Sequence, residues 1–277
     1  MVICVQEDIA TVQNYYDQNA ELEWRRLDEH PFEFLLTTYM MERYIKPGDR
    51  VLDIGGGPGR YSIHFAKRGC DVTLVDLSEA NVRLAQEKAA EAGVFIQTFQ
   101  ANCLELDALM LGKFDHVLLM GPLYHLIDST EQIQAVNCAL ARLKPGGKFY
   151  ASFILTFAGI LFDLKNGGNI VVDSTSPASS AIIGAVVSGD DYCGKAFTRA
   201  CLMHQRNILP FLAQFPLKKL HFFGQEGILA PNEPELLQRE PEEIACWLEI
   251  AKQYLEVPEL LALSEHAMYI GESVETH

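Results

Sequence analysis

The strongest chemical signal in the sequence is a glycine-rich turn that follows a short apolar run. The run from Val51 to Ile54 is typical of a buried strand, and Gly55, Gly57 and Gly59 follow it at alternate positions. Glycine permits positive φ angles and a close approach of a ligand to the backbone, and free N–H groups at a helix start attract anionic or electron-rich groups. The pattern therefore predicts a ligand-binding turn between a strand and a helix.

The spacing of these glycines disfavours two common phosphate-binding motifs. A nicotinamide or flavin site has the spacing G-x-G-x-x-G, and its third glycine would fall at position 60, where Arg60 stands. A P-loop ends in Gly-Lys followed by Ser or Thr, and this turn contains no lysine. A purely structural turn would not need four glycines within five positions.

A second signal is an acidic residue at the end of the next predicted strand. Asp76 ends the apolar run from Val72 to Val75. A carboxylate at this position can accept hydrogen bonds from both hydroxyls of a ribose, and it can also cap a helix that begins near Ser78. Together with the glycine turn, Asp76 predicts an adenosine that lies across the carboxyl ends of the strands.

Alternating strand and helix patterns surround these two signals. Short apolar runs predict seven strands, at 50–54, 71–76, 94–99, 114–120, 147–154, 218–224 and 266–271. Amphipathic spacing predicts helices at 59–68, 79–92, 129–143, 204–215 and 241–256, and two more over 16–44, where Pro31 interrupts the pattern. This alternation indicates an α/β fold with a doubly wound, mostly parallel sheet that helices cover on both faces.

Composition restricts the class of protein and of partner. The chain carries 22 Lys and Arg against 37 Asp and Glu, a net charge of −15, so nucleic acid is an unfavourable partner. Seven cysteines without a C-x-x-C pair predict reduced thiols and neither a disulfide framework nor a zinc site. Because the sequence shows no signal peptide and no apolar stretch long enough to cross a bilayer, we expect a cytoplasmic location and no membrane partner.

The sequence resembles the class I S-adenosylmethionine-dependent methyltransferases, most strongly over 50–154. The resemblance implies that Asp53 and the glycine turn hold the methionine end of S-adenosylmethionine and that Asp76 holds its ribose, with Leu77 also at the cofactor. The family usually has an Ala-Asp pair after the third strand, whereas this chain has Asn102 followed by Cys103. The amide oxygen of Asn102 can still accept a hydrogen bond from the adenine amino group.

The resemblance also suggests which segments lie around the transferred methyl group. The segment from Met120 to His125 follows the fourth strand and borders that group in the family. The N-terminal helices are similar to those that fold over the bound cofactor, where an aromatic ring such as that of Tyr16 could shield the sulfonium. The same aromatic residues could instead be packing residues of an amphipathic helix.

Methyl transfer from a sulfonium needs alignment more than proton chemistry, so a general base is optional. His125 is the candidate base, because an unperturbed histidine has a pKa near 6.5; the alternative is a histidine that is hydrogen-bonded within the turn. Tyr124 would orient the acceptor or pack on the cofactor. Arg199 and His204 could meet an anionic group of the substrate or lie at the surface. The histidines show no ligand spacing, so no metal is expected.

The pattern divides the chain into four parts. They are an N-terminal helical cap over 1–45, the Rossmann-like S-adenosylmethionine-binding core over 46–157, an inserted flap over 158–200, and the rest of the sheet over 201–277 with a helical lid excursion at about 225–265. The flap is rich in Gly, Ser and Asp from 166 to 194, apart from an apolar run at 181–187 that fits a short strand or helix. Flap and excursion would form the acceptor pocket.

The acceptor is predicted to be a small molecule, with the nucleophilic atom (O, N or C) left open. The Asn/Asp-Pro-Pro-Tyr/Phe segment of nucleic-acid amine methylases is replaced by Gly121-Pro122-Leu123-Tyr124, and the Pro-Cys pair of cytosine C5 enzymes is absent. S-adenosylhomocysteine would be the product. The alternatives are a methyltransferase of protein or RNA and a non-catalytic binder of the cofactor or its product. A reductase is disfavoured by Arg60, and monomer or homodimer stays undecided.

Overall fold

Seven strands form one sheet in the computed structural model, which describes residues 2–167 and 176–274. The strands among these residues are β1 (Arg50–Ile54), β2 (Asp71–Asp76), β3 (Gln97–Gln100), β4 (Phe114–Leu119), β5 (Leu143–Ile154), β6 (Tyr192–Lys195), β7 (Arg199–Leu202), β8 (Leu217–Gly224) and β9 (His266–Ser273). The order in the sheet is β3-β2-β1-β4-β5-β9-β8, and β6 pairs only with β7. Strands β1 to β5 are parallel, whereas β9 is antiparallel to both β5 and β8. The predicted seven-stranded, mostly parallel sheet is confirmed.

Helices lie before, between and after the strands. They are α1 (Val2–Glu29), α2 (Pro31–Met41), α3 (Arg60–Lys67), α4 (Glu79–Glu91), α5 (Ser129–Leu140), α6 (Ala158–Asn166), α7 (Pro177–Ser188), α8 (Gln205–Leu212), α9 (Glu233–Leu236) and α10 (Pro241–Tyr254). Pro31 occupies the first turn of α2, where its missing N–H would have had no helical partner. This explains why the predicted break between the two N-terminal helices falls at that residue. Short 3-10 turns run over Cys103–Leu109, Pro122–Tyr124, Gly227–Asn232 and Pro258–Leu263.

The strands bury side chains on both faces of the sheet. On β1, Val51 packs into the core on the side of α2 and α3, while Leu52 and Ile54 pack into the opposite core, on the side of α5. All three are at most 1% exposed, and burying each such side chain contributes about 1.5–3 kcal/mol. Two-sided burial explains why the central strands appear in the sequence as continuous apolar runs.

Two strands begin three or more residues away from their predicted positions. β3 begins at Gln97 instead of 94, because Gly93 takes a left-handed φ of 70° after α4 and the chain needs three residues to reach the sheet edge. β5 begins at Leu143 instead of 147, because Leu143 already pairs with Phe114 ahead of a register shift. Both differences reflect pairing with neighbouring strands, which a local pattern does not contain.

The flap contains two helices and a hairpin in its described part. The apolar run at 181–187 lies in α7, and residues 168–175 fall outside the described residues. The β6–β7 hairpin was not predicted. Its antiparallel register places Cys193 directly opposite Cys201, and the two form a disulfide. The prediction that all cysteines are reduced is therefore wrong for this pair, because cross-strand pairing depends on a hairpin that the spacing does not reveal.

No helix among the described residues is both long enough and apolar enough to cross a membrane. Helical segments from Gly227–Asn232 to Pro258–Leu263 separate β8 from β9, in the stretch where the sequence pattern places the lid excursion. The fourfold division of the chain into cap, core, flap and remainder stays a prediction.

Candidate active site

A pocket opens at the carboxyl ends of β1, β2 and β4, where the strand order reverses between β1 and β4. Such a switch point is the usual ligand crevice of an open α/β sheet. The predicted residues that line it are Tyr16, Asp53, Gly55, Gly57, Asp76, Leu77, Asn102, Cys103, Met120, Tyr124 and His125. The structure thus brings together all of the predicted site residues except Gly59, and their individual roles stay predictions.

Gly59 is a packing residue and does not line the pocket. It precedes α3 with a φ of +87°, and a Cβ atom there would lie 3.1 Å from the Cβ of Ala85 on α4. Gly55 lies in the pocket wall with a φ of +70°, and a Cβ atom there would lie 2.5 Å from Cδ of Pro122. The glycine turn is therefore pressed against the segment that follows β4, which narrows the crevice between β1 and β4.

Asp76 connects the glycine turn to the start of α4. Its Oδ2 accepts a hydrogen bond from the Gly57 N–H at 2.8 Å, and its Oδ1 accepts from the Ser78 N–H at 2.9 Å and from Asn81 Nδ2 at 3.2 Å. Burial raises the pKa of Asp76, although these bonds oppose the shift. Ser78 is the residue that caps α4. A carboxylate has about four acceptor positions, so Asp76 retains capacity for a ribose hydroxyl.

Asp53 ends in the pocket with a single neutral hydrogen-bond partner. Its Oδ2 accepts from the Ser62 hydroxyl at 2.7 Å, and the side chain is almost fully buried. Burial raises its pKa to about 6, and the nearby charge of Asp76 adds to the rise. A buried carboxylate without a cation favours a ligand that brings a positive group to this position.

Asn102 and Cys103 form the wall beyond β3. The Asn102 Oδ1 accepts from the Leu104 N–H at 3.0 Å and thereby caps the 3-10 turn that follows. One lone pair of this oxygen remains for a ligand donor such as an exocyclic amine. Burial raises the pKa of the Cys103 thiol to about 12, so it is a neutral, apolar part of the wall and not a nucleophile.

His125 is held from both sides by hydrogen bonds. Its Nδ1 lies 3.0 Å from the Arg199 carbonyl oxygen, which only accepts, so Nδ1 carries the proton. Nε2 then accepts from the Tyr16 hydroxyl at 2.7 Å. Burial lowers the pKa of His125 to about 4. The assumption of an unperturbed pKa near 6.5 is therefore wrong, and the partners lie on β7 and α1 and not within its own turn.

Several aromatic rings pack around His125. Phe197, at the tip of the β6–β7 hairpin, has its ring centroid 5.9 Å from that of Tyr15 and 5.8 Å from that of His125. Tyr124 stacks edge-on against His125 at 4.8 Å, and burial raises the pKa of Tyr124. These rings join the N-terminal helix, the flap hairpin and the turn after β4 into one cover.

Arg199 and His204 do not line this pocket with their side chains. Arg199 contributes its carbonyl group to His125, and His204 caps α8, where its Nδ1 accepts from the Arg206 N–H at 3.3 Å. Of the two alternatives for these residues, contact with a substrate anion or a place at the surface, their position outside the pocket lining favours the second. In contrast, Arg60 stacks on the Trp24 ring at 4.6 Å and so connects α3 to α1. Arg60 stands at the position where the G-x-G-x-x-G motif would have its third glycine.

Several polar residues that the sequence did not indicate line the same pocket. They are Glu23, Arg26, Glu33, Tyr61, Ser152 and His266. Arg26 Nη1 donates to Glu33 Oε2 at 2.5 Å. The His266 Nδ1 lies 2.5 Å from Glu226 Oε1, and the His266 backbone N–H donates to Glu226 Oε2 at 3.1 Å. These residues come from α1, α2, α3, β5 and β9, so no local spacing could have grouped them.

Three of these groups approach the geometry of a metal-ligand set, although the sequence led us to expect no metal. One ligand atom each of Glu33, Glu226 and His266 lies within 4.8 Å of the others. However, Arg26 donates to both oxygens of Glu33, and His266 donates to both oxygens of Glu226. The carboxylates are thus neutralised by protein cations, which favours an internal ion-pair network over a cation site.

Comparison with known proteins gives a consistent assignment. A family model described as a methyltransferase domain matches residues 51–147. The ubiquinone biosynthesis O-methyltransferase of Xanthomonas axonopodis pv. citri (strain 306) is 39% identical over 114 residues, which cover 41% of this chain and 46% of the relative. The enzyme of the same name from Marinobacter nauticus is 36% identical over 147 residues, covering 52% and 59%. The matches span about half the length of these relatives.

Solved structures extend the similarity to nearly the whole chain at the level of the fold. The magnesium protoporphyrin IX methyltransferase of Synechocystis PCC 6803 with bound S-adenosylhomocysteine has a TM-score of 0.57 at 16% identity, covering 96% of this chain and 99% of the other. The N-methyltransferase NodS of Bradyrhizobium japonicum WM9 has a TM-score of 0.56 at 14% identity, covering 94% and 99%. The family match shows a methyltransferase domain over residues 51–147, and the sheet topology of the chain is the fold that these solved methyltransferases share.

Proposed function

We propose that this protein transfers a methyl group from S-adenosylmethionine to a small-molecule acceptor. The observation that carries the proposal is one continuous pocket that joins the glycine turn, Asp53 and Asp76 to a second polar region around Ser152 and His266. A methyl donor and a methyl acceptor must meet in such a shared space. S-adenosylmethionine supplies a methyl group on a positively charged sulfur that is already an activated leaving group.

The residues at the β1–β2 side fit this cofactor. Asp76, with Leu77 beside it, would hold the ribose, and Asn102 would hold the adenine amino group with its remaining lone pair. The buried carboxylate of Asp53 would receive the positive end of the methionine part. The pKa of Asp53 is raised to about 6 without such a partner, so a bound cation would favour its ionised form.

The cover of the pocket would align the reactants and exclude water. Tyr16 lies on the N-terminal helix and is fixed by its hydrogen bond to His125, while Met120 ends β4 in the pocket wall. A methyl transfer between aligned reactants gains most from orientation and from the removal of competing water. His125 would contribute to that cover as a neutral ring, because both of its nitrogens are engaged.

A small-molecule acceptor is supported by the charge of the protein and by its relatives. The net charge of −15 disfavours nucleic acid, and the similar proteins above are named for ubiquinone biosynthesis and for magnesium protoporphyrin IX. The cytoplasmic location predicted from the sequence stays part of this proposal, and cell fractionation would test it.

Calorimetric titration with S-adenosylmethionine, S-adenosylhomocysteine and NAD tests the cofactor assignment. We expect micromolar binding of the first two and none of NAD. Binding of NAD alone would overturn the proposal. Binding of both sulfur compounds without turnover on a broad panel of hydroxyl and amine acceptors would support the alternative of a non-catalytic binder.

A further inference from the structure

We propose that His266, oriented by Glu226, binds the methyl acceptor at the far side of the pocket, and that the acceptor atom is a hydroxyl oxygen bound as its anion. The inference deepens the proposed function and rests on it, because it assigns the second reactant of the same pocket. It names a substrate class: molecules with an ionisable hydroxyl group, such as a phenol or an enol.

The sheet topology places His266 on the side opposite the cofactor residues. His266 begins β9 and pairs with Ile154 at the carboxyl end of β5, so it lies at the same edge of the sheet as the glycine turn. β4 separates β5 from β1 and β2. A ligand held over β1 and β2 therefore leaves the space beyond β4, next to Ser152 and His266, for a second reactant.

The imidazole of His266 is positioned with one nitrogen in the protein and one available to a ligand. Glu226 accepts from both the Nδ1–H at 2.5 Å and the backbone N–H at 3.1 Å, which fixes the ring. Nε2 has no hydrogen-bond partner within the described part of the chain. The side chain of His266 is 18% accessible while that of Glu226 is 4% accessible. Because His266 lines the pocket, its accessible part is available to a ligand there.

The charges around His266 favour its protonated form. Burial opposes the charged ring, but Glu226 and Glu33 together outweigh burial and the neighbouring Arg26, and they raise the pKa of His266 to about 9. Glu33 Oε2 lies 3.9 Å from Nδ1 and is itself paired with Arg26 at 2.5 Å. The protonated ring donates its Nδ1–H to Glu226 and leaves its Nε2–H as a donor for the ligand.

A second donor lies in the same part of the pocket. The Tyr61 hydroxyl is buried and has no hydrogen-bond partner among the described residues. The Thr37 hydroxyl, which accepts from Gln225 Nε2 at 3.1 Å, lies close enough to oppose the rise of the Tyr61 pKa, but the two hydroxyls do not form a well-aligned hydrogen bond. An unpartnered buried hydroxyl costs free energy unless a ligand completes it. Glu33 and Arg26 influence both Tyr61 and His266, which places the two donors in one electrostatic environment.

His266 and Tyr61 supply two hydrogen-bond donors, one of them cationic. These donors match an oxygen anion better than other methyl-accepting groups. An ammonium group has no lone pair with which to accept from these donors, whereas an oxyanion accepts hydrogen bonds from both. On binding, the O–H bond of the acceptor breaks and its proton leaves to solvent. The oxygen electron pair then forms the bond to the methyl carbon as the carbon–sulfur bond breaks and its electrons pass to sulfur. His125 cannot donate a hydrogen bond to the acceptor anion, since both of its nitrogens are already hydrogen-bonded within the protein.

The test uses 4-nitrophenol as the probe, because its anion absorbs at longer wavelength than its neutral form. The probe is titrated into protein saturated with S-adenosylhomocysteine, at a pH where free probe is mostly neutral. We expect the spectrum of the bound probe to be that of the anion, and His266→Gln to weaken its binding roughly tenfold or more. No binding, binding as the neutral phenol, or unchanged binding to His266→Gln would overturn the inference.

A matched control comes from a second histidine–glutamate pair. His221 Nδ1 lies 2.9 Å from Glu256 Oε1, but its Nε2 is occupied by the Tyr44 hydroxyl at 2.6 Å, and His221 does not line the pocket. We expect His221→Gln to bind the probe like the unchanged protein. An equal loss in both variants would assign the effect to general destabilisation and overturn the role of His266.

Positioning by Glu226 has its own readout. In histidine-labelled protein followed by NMR, we expect Glu226→Gln to lower the pKa of His266 and to weaken anion binding, while S-adenosylhomocysteine affinity stays unchanged. A pKa of His266 that does not move would remove Glu226 from the proposal. If S-adenosylhomocysteine itself fails to bind the unchanged protein, the proposed function fails; if it binds and the probe results are negative, only the present inference fails.

Discussion

The two sides of the pocket are built in different ways. On the cofactor side, Asp53 and Asp76 lie at the carboxyl ends of neighbouring strands, and the bond from the Gly57 N–H to Asp76 joins consecutive strand–helix turns. On the acceptor side, His266 and Glu226 belong to different elements 40 residues apart. The first side is assembled by local motifs, whereas the second is assembled only by the tertiary fold.

The two sides also differ in how they treat charge. Asp53 has only the neutral Ser62 hydroxyl as a partner, so its charge is uncompensated without a ligand. On the other side Glu33 is paired with Arg26 and Glu226 with His266. The comparison indicates that the cofactor side gains most from a ligand that carries positive charge, while the acceptor side is already balanced and offers donors.

The largest expected effect tests the rigid turn on the cofactor side. Gly55→Ala places a side chain at a φ of +70° and within 2.5 Å of the Pro122 ring. The left-handed backbone alone costs about 1–2 kcal/mol, and overpacking adds about 1–3 kcal/mol. We therefore expect urea denaturation to show a loss of about 3 kcal/mol in the free energy of unfolding.

Gly57→Ala is the matched control for that prediction. Gly57 also has a positive φ, +56°, but a Cβ atom there meets nothing nearer than Asn81 Nδ2 at 4.0 Å. Gly57→Ala should therefore lower the free energy of unfolding only by the cost of the left-handed backbone, about 1–2 kcal/mol. Equal losses in the two variants would show that the turn is not pressed against the segment after β4.

Asp53→Asn tests the uncompensated charge. Because the pKa of Asp53 is about 6 in the folded protein and 3.8 as its ordinary value, the folded state binds the proton more tightly and its stability falls as the pH rises from about 4 to 6. Above pH 6 the ionised group destabilises the protein by about 1–3 kcal/mol. The Asp53→Asn variant should therefore be more stable than the unchanged protein at pH 7, and this gain should be smaller at pH 4. The variant should also bind S-adenosylmethionine more weakly.

Thermal melts of both proteins at pH 4 and pH 7, without ligand, measure this difference. A stability gain that does not depend on pH would show that the charge of Asp53 is compensated, and the contrast between the two sides of the pocket would then be wrong.

Asp76→Ala separates ligand contact from strand structure on the same side. We expect S-adenosylmethionine affinity to fall by about 1–3 kcal/mol, since charge-assisted hydrogen bonds to the ribose are lost. Asp71→Ala is the control, because Asp71 begins the same strand at the opposite edge and is exposed beside Arg50. Calorimetric affinity that is unchanged in Asp76→Ala, or equally reduced in Asp71→Ala, would contradict the ribose assignment.

The difference between the two sides also explains what the sequence could predict. The glycine turn and Asp76 follow strands whose apolar runs are visible in the chain, so their meeting at one sheet edge follows from parallel topology. The pairing of Cys193 with Cys201 and of His266 with Glu226 depends on a hairpin and on an antiparallel strand whose partners are set by tertiary packing. The pKa of His125 was also not predictable, because burial and not residue type sets it.

The smallest expected effect concerns the bond that joins the cover to the turn after β4. Tyr16→Phe removes the hydroxyl that donates to His125 Nε2 at 2.7 Å but keeps the ring and its 5.3 Å contact. A single neutral hydrogen bond contributes about 1 kcal/mol, so we expect turnover to fall about fivefold with cofactor affinity nearly unchanged. His125→Ala should spare cofactor binding and slow turnover further, since it also removes the bond to β7. If His125→Ala turns over its acceptor at the original rate, the cover does not align the reactants, and the acceptor side alone controls the reaction.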